Sequence, residues 1–423
     1  MIIIVITTQL ITMCLKIKIK IFKKKMLPKE IFNQENYILD IRTIITIRSK
    51  RKRSSYFKQL KPIIVALKLF GVMPFTTHAS GPVFTLISWI MLYSLSIFVC
   101  LNILLFYKLY GDYKYFVKSD TVVFNLLHRV TGSSIGLISF LLPIFWTDMK
   151  NIPEYWNRWN IFQDKFELCM RKPLQLNITK LVWVVTILPT ALMAFNILTS
   201  LIFVKEWKLN NSILFIIIFG IINLTTGYFY INCHIFRNIS KDINQRIMEL
   251  IVTKGSSTRF REHAELWCYM SHLITDFGIV HGGIYCSIAI VIYISSTTLW
   301  FYFTMTLISP ENYLVSVIVV PLVFTNSLLM VYSEASYIAL SEVGKKLQWK
   351  ILNSTMSGLV EQTQREIQDF LEMIQLCRPN ITFGGFCDVN RELFINFILA
   401  VFFNLVVAFQ SQIIPKQYTT SVS

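Results

Sequence analysis

The chain has 423 residues, of which 54% are hydrophobic and only 15% charged, with a mean hydropathy of +0.54. A water-soluble domain carries about 25% charged residues, so much of this surface must meet lipid instead of water. The formal charge of +17 is concentrated in residues 1–70, which hold 16 Lys/Arg against three acids; an excess confined to one tail beside apolar runs marks a cytoplasmic flank that also attracts lipid headgroups, and excludes a nucleic-acid partner.

The tail comes first. Ile2–Leu15 is apolar but too short to span a bilayer, and Lys16–Lys25 alternates Lys with Ile before ending in a Lys run. A secretory signal places its basic residues first and a small-residue cleavage site last, so this is not one. Two readings stand side by side: a tail that touches the membrane, or an extension upstream of Met26 foreign to the natural protein. Residues 1–57 are read as a basic cytoplasmic tail. Residues 58–414 form one membrane domain with helical extensions, and 415–423 a short extracellular tail.

Seven uncharged or nearly uncharged runs follow, at about 83–107, 121–147, 181–204, 212–236, 279–308, 313–333 and 394–414. Each is long enough for a transmembrane helix. His128 and Arg129 interrupt the second, and the fifth has no Asp, Glu, Lys or Arg from Ile279 to Pro310. A run of that length tilts, or continues beyond the lipid against other helices. The expected fold is an all-α polytopic protein of the plasma membrane with seven transmembrane helices.

Direction follows from the basic residues between the runs. The tail and the connections after runs two, four and six hold 34 Lys/Arg, the opposite side six. The N-terminus is therefore expected in the cytoplasm and the C-terminus outside. A G-protein-coupled receptor runs the other way, and this chain has neither Asp-Arg-Tyr after its third run nor Asn-Pro-x-x-Tyr in its seventh. The inner connections are long. Leu340, Val343, Leu347, Ile351 and Ser354 recur at helical spacing, so the sixth helix is expected to continue into the cytosol, and 237–277 reads the same way.

Little here carries bond-making chemistry. Eight cysteines show no close pair, and no Cys-x-x-Cys, His-x-x-x-His, Walker loop, Gly-x-Ser-x-Gly or Gly-x-Gly-x-x-Gly occurs. His263, His272 and His281 lie nine residues apart, which puts them on alternating faces of a helix. The expectation is no enzyme, no metal, no cofactor and no structural disulfide. Gly384-Gly385 beside Pro379 reads as a turn into the last run. Polar groups within runs are functional suspects. His128 and Arg129 either meet a polar ligand from outside or leave Arg129 to snorkel or pair with Asp120. His281 reads as a packed, hydrogen-bonded core residue. Trp300, Phe301, Tyr302 and Phe303 form an aromatic belt or line a ligand pocket. In the seventh run Asn396, Asn404 and Gln410 point to a wet or protein-lined face.

Two stretches are similar to the insect gustatory receptor family. One is Lys61-Pro62 through Phe70-Gly71-Val72-Met73-Pro74-Phe75, and the other is Gly385-Phe386 through Asp388-Val389-Asn390-Arg391-Glu392-Leu393. The family ends with Thr-Tyr, five residues, then Gln-Phe. Gln410 keeps the Gln, Phe403 and Asn404 stand for Thr-Tyr, and Ser411 stands for Phe. Three stretches resemble the carbon dioxide branch: Tyr155-Trp156-Asn157-Arg158-Trp159-Asn160 with Phe162-Gln163; Trp267 through Ser271-His272 to Asp276-Phe277-Gly278; and Val389–Leu393. Receptors for sugars or bitter compounds remain the alternative.

The resemblance implies a subunit of a ligand-gated, non-selective cation channel. It implies a homo- or heterotetramer of related subunits that binds a small tastant or carbon dioxide. The pore and gate then fall at Phe403, Asn404, Gln410 and Ser411, and a ligand pocket open to the outside takes in His128, Arg129, Trp300 and Tyr302. A solute carrier is the competing class, but no internal repeat or pair of matched broken helices supports it.

Overall fold

A computed structural model describes residues 55–78, 81–118, 138–203, 209–308, 315–354 and 358–403, together with 136 and 406. The described chain is helical, with one two-stranded hairpin. Helix α1 (Ser55–Leu69) leads to β1 (Thr76–His78) and β2 (Gly81–Val83), which pair antiparallel with Thr76 opposite Val83. Then come α2 (Trp89–Lys118), α3 (Ile138–Asp148), α4 (Ile152–Met170), α5 (Thr179–Phe203) and α6 (Leu209–Val252). The second half holds α7 (Ser257–Val280), α8 (Gly282–Ile308), α9 (Val315–Val343), α10 (Lys345–Leu352), α11 (Glu361–Leu376) and α12 over 391–403.

A helix overlies each predicted apolar run over most of its described length. By length and composition, Trp89–Lys114, Ile216–Val252 and Gly282–Trp300 can cross a membrane, and Ile138–Asp148 and Thr179–Leu188 are shorter apolar pieces. Helix α2 starts later than the first run and ends past it. Val83, at the head of that run, ends β2, and residues 84–88 link the hairpin to α2.

Helix α6 is the axis. It packs most extensively against α9 and α5 and also meets α1, α2, α7 and α8, while α8 packs in turn on α9 and α3, and α3 on α2. Its lower half joins a basal layer in which α7 packs on α4 and α11. The amphipathic stripes explain that layer. In α4, Ile152, Tyr155, Trp156, Trp159, Phe162 and Phe166 are buried, and in α11 Thr363, Ile367, Phe370 and Ile374, both at helical spacing. By contrast α2 exposes Leu92, Leu95, Val99, Ile103 and Phe106, and α5 exposes Trp183, Val184, Ile187 and Leu188. Apolar surface of that extent is what a helix presents to lipid.

The sixth helix continues well past its apolar run, as its spacing predicts, and Val343, Leu347 and Ile351 are fully buried. A break at Gly344 divides α9 from α10. The carbonyls freed there are satisfied from two sides, since Asn244 donates to the Glu342 carbonyl at 2.7 Å and Trp267 Nε1 to that of Val343 at 2.9 Å. Ser354 lies beyond the end of α10.

Candidate functional site

The chain between α11 and α12 forms a compact joint that sets where the last helix starts. Ser271 donates to the Cys377 carbonyl at 2.6 Å, and the Asn380 N–H reaches Thr275 Oγ1 at 3.4 Å. Thr382 and Asp388 form an antiparallel bridge closed by Phe383 N–H to Cys387 O and Val389 N–H to Ile381 O. Gly384 and Gly385 turn it with φ of 63° and 81°, a region open to glycine at little cost. Here the turn read from sequence is observed. Asn390 then caps α12, its Oδ1 accepting the Leu393 N–H at 3.0 Å.

This joint sits in a notch made by two glycines four residues apart. Gly278 closes α7, and its carbonyl accepts the Gly384 N–H at 3.1 Å. A Cβ on Gly278 would fall 2.5 Å from Thr382 N, and one on Gly282 would strike the backbone of Gly384. Only a pair of residues without side chains lets the backbones approach this closely, the logic of small-x-x-x-small contacts between helices.

Charge clamps both sides. Arg391, the first residue of α12, donates through Nε and Nη2 to the two carboxylate oxygens of Glu334 on α9, at 2.8 and 2.5 Å. Its guanidinium also lies 3.7 Å from the centre of the Tyr337 ring. Those hydrogen bonds hold the Glu334 carboxyl below its usual range. On the far side Arg158 of α4 pairs with Asp276 of α7 and with Glu154.

Behind the joint lies an aromatic core. Trp159 stacks on Tyr56 and on Phe236, and Tyr56 donates to Asn232 Oδ1 at 2.6 Å, so α1, α4 and α6 lock together. His281 is fully buried against Tyr155, Tyr228, Phe277 and Tyr285. Its Nδ1 lies 3.3 Å from the Phe277 carbonyl, which only accepts, so that nitrogen carries the proton. This is the packed, hydrogen-bonded histidine expected from sequence, and Nε2 and the nearby Tyr285 hydroxyl have no hydrogen-bond partner among the described residues.

The three stretches singled out in sequence meet here. Arg158 of the first pairs with Asp276 of the second, Tyr155 faces Phe277, and Val389 and Arg391 of the third close the bridge and the clamp. The predicted pore and pocket residues are a different matter. Phe403 lies on α12 and is exposed, and Trp300 is half-buried on α8. His128, Arg129, Asn404, Gln410, Ser411 and the side chain of Tyr302 lie outside the described residues. One group with metal-ligand chemistry comes together among the described residues, Cys268, His272 and Cys377, at the flank of the joint. Neither a Cys-x-x-Cys nor a His-x-x-x-His spacing marks it in the sequence.

A family model described as 7tm chemosensory receptor matches residues 60–414. The chain is 22% identical over 369 residues to gustatory and odorant receptor 22 of Anopheles gambiae, covering 85% of this chain and 79% of that one. It is 24% identical over 408 residues to gustatory and odorant receptor 21a of Drosophila melanogaster, covering 93% and 89%. Gustatory and odorant receptor 24 of Anopheles gambiae is 25% identical over 372 residues, covering 85% and 79%. Among solved structures, the insect olfactory receptor OR5 from Machilis hrabei superposes with a TM-score of 0.59 in its complex with eugenol and 0.54 in a second structure. The identity is 13% and 14%, and each match covers 84% of this chain and 98% of that one.

Proposed function

The chain belongs to the 7tm chemosensory receptors, the family of the insect gustatory and odorant receptors, and from that membership we propose that it is a gustatory receptor subunit of a ligand-gated, non-selective cation channel. It crosses the plasma membrane seven times with its N-terminus in the cytoplasm, and residues 58–414 make up the membrane domain between the two tails. Four subunits, identical or related, surround a central pore to which each contributes its last helix.

One observation carries this reading best. Helix α12 is anchored at its base and uncovered above it. Phe397 and Val401 pack on the chain's own core, whereas Ile395, Ile398, Leu399, Phe402 and Phe403 form an exposed apolar stripe at helical spacing. Neighbouring subunits and lipid cover such a stripe in a tetramer. The pore then continues through Asn404, Gln410 and Ser411, where amide and hydroxyl dipoles compensate the water that an ion sheds. His128, Arg129, Trp300 and Tyr302 are assigned to the ligand pocket.

Carbon dioxide is the finer reading, with sugars and bitter compounds as the alternative. The stretches similar to the carbon dioxide branch gather at the joint, so they bear chiefly on how ligand binding moves the last helix. Patch recording under carbon dioxide, sugars and bitter compounds tests both levels. Stoichiometric solute uptake without channel current would place the chain among carriers instead.

Two expected results follow from this reading. Arg391→Glu should shift half-activation by up to about fivefold, the scale of a part-exposed ion pair, and the swap Glu334→Arg with Arg391→Glu should recover part of the shift. Equal currents in wild type, single variant and swap would remove the clamp from gating. A tag after Ser423 should label on intact cells and one beside Asn33 only after permeabilisation, as the 34-to-6 split of basic residues requires. The reverse pattern would overturn the orientation.

A further inference from the structure

We propose that Cys268, His272 and Cys377 form a zinc site that ties α7 to the joint beneath the last helix. Cys268 and His272 stand four residues apart on α7 and so share one face. Cys377 caps the C-terminus of α11 and opens the segment that leads into α12. The ligand atoms of the three all lie within 4.8 Å of one another, and Cys268 Sγ is 3.8 Å from His272 Nδ1. Tetrahedral zinc with bonds near 2.1–2.3 Å sets its ligand atoms roughly 3.6–3.8 Å apart, so the side chains need close by no more than about 1 Å.

The surroundings suit the ion. Both thiols are free. The Cys377 backbone is fixed before any metal arrives, its carbonyl accepting from Ser271 at 2.6 Å and its N–H donating to the Met373 carbonyl at 2.8 Å. Cys268 and Cys377 are half-buried while His272 is exposed, which leaves a fourth position open to water. Zinc takes its cysteine ligands as thiolates, and the two thiolates neutralise the dication. Thiolate ligands with one imidazole select zinc over magnesium or calcium, which take oxygen. In the proposed topology this end faces the cytosol, where thiols stay reduced.

The full-length receptor, purified in detergent, reduced and stripped with chelator, provides the test, and it is independent of whether the chain conducts ions. Zinc titrated against a chromophoric chelator should bind at one ion per chain. Cobalt should give a thiolate-to-metal charge-transfer band in the near ultraviolet. Cys268→Ser, Cys377→Ser and His272→Ala should each weaken zinc binding by more than about tenfold, a loss that even outer-shell changes reach. Cys387→Ser, on the far side of the turn, should bind as wild type does. His272 is exposed, so its variant keeps the fold, and a melting curve without metal confirms that. Absence of zinc uptake by the reduced wild type overturns the proposal. So does uptake unchanged by His272→Ala, or loading by copper(I) but not zinc.

Discussion

Gly282→Ala is expected to reduce ligand-evoked current at least tenfold and to lower the melting temperature of the purified receptor. The added methyl would occupy the space of the Gly384 backbone, and Gly384 cannot retreat easily. It is tied to the Gly278 carbonyl at 3.1 Å and sits at a φ of 63° that other residues rarely adopt. Overpacking against side chains costs about 1–3 kcal/mol because rotamers can yield. Here the obstacle is main chain, so relief requires moving the bridge of Thr382 and Asp388, and with it the first turn of α12. Gly278→Ala should act in the same direction, since its methyl would press on Thr382 N and O at 2.5 and 2.8 Å. Gly111→Ala in α2 is the control, because a Cβ there meets nothing within 4 Å. Wild-type current and melting in Gly282→Ala would show that the last helix does not depend on this seat.

What the sequence made legible, and what it hid, divides along one physical line. Periodicity is local, so it exposed the apolar runs and the extension of the sixth helix past its apolar run. It also placed His263, His272 and His281 on alternating faces, and they are buried, exposed and buried in turn. Pairing across the chain is not local. Arg158 and Asp276 are 118 residues apart, and Arg391 and Glu334 are 57 apart, so neither clamp has a signature in spacing. The resemblance to a receptor branch took in Arg158, Asp276 and Arg391 without saying what they touch, and it did not reach Glu334. The metal group shows both limits together. Cys268 and His272 form a mixed i, i+4 pair, which has the spacing of His-x-x-x-His but not its composition. Cys377 arrives only through the packing of α11 on α7. Glycine hid its role too, because a residue without a side chain leaves no pattern, and its value lies in what approaches it.

Trp159→Ala should destabilise the receptor by about 3–5 kcal/mol, the range for removing a buried large aromatic. Trp159 is 1% exposed and fills the space between three helices. Its ring stacks on Tyr56 of α1 with centroids 4.2 Å apart and on Phe236 of α6 at 5.8 Å, and it meets Phe162 edge-on at 5.7 Å. Stacked pairs of this kind add about 0.5–1.5 kcal/mol each beyond the area they bury. Truncation leaves a cavity with rigid rings on both sides, so collapse is poor and the loss falls at the upper end. The damage also reaches function, since Tyr56 holds Asn232 and thereby orients α1 on the axial helix. Less α1 packing weakens the basal layer on which the joint rests, and the current should fall along with the melting temperature. Trp159→Phe keeps one ring in each stack and should lose less than half as much. Leu168→Ala on the same helix removes a side chain that is 63% exposed and should stay within about 0.5 kcal/mol of wild type. Melting curves in detergent for these three variants, read beside whole-cell currents, decide the matter. A Trp159→Ala receptor that melts with Leu168→Ala would mean that the stack does not bear the packing of α1 on α4 and α6.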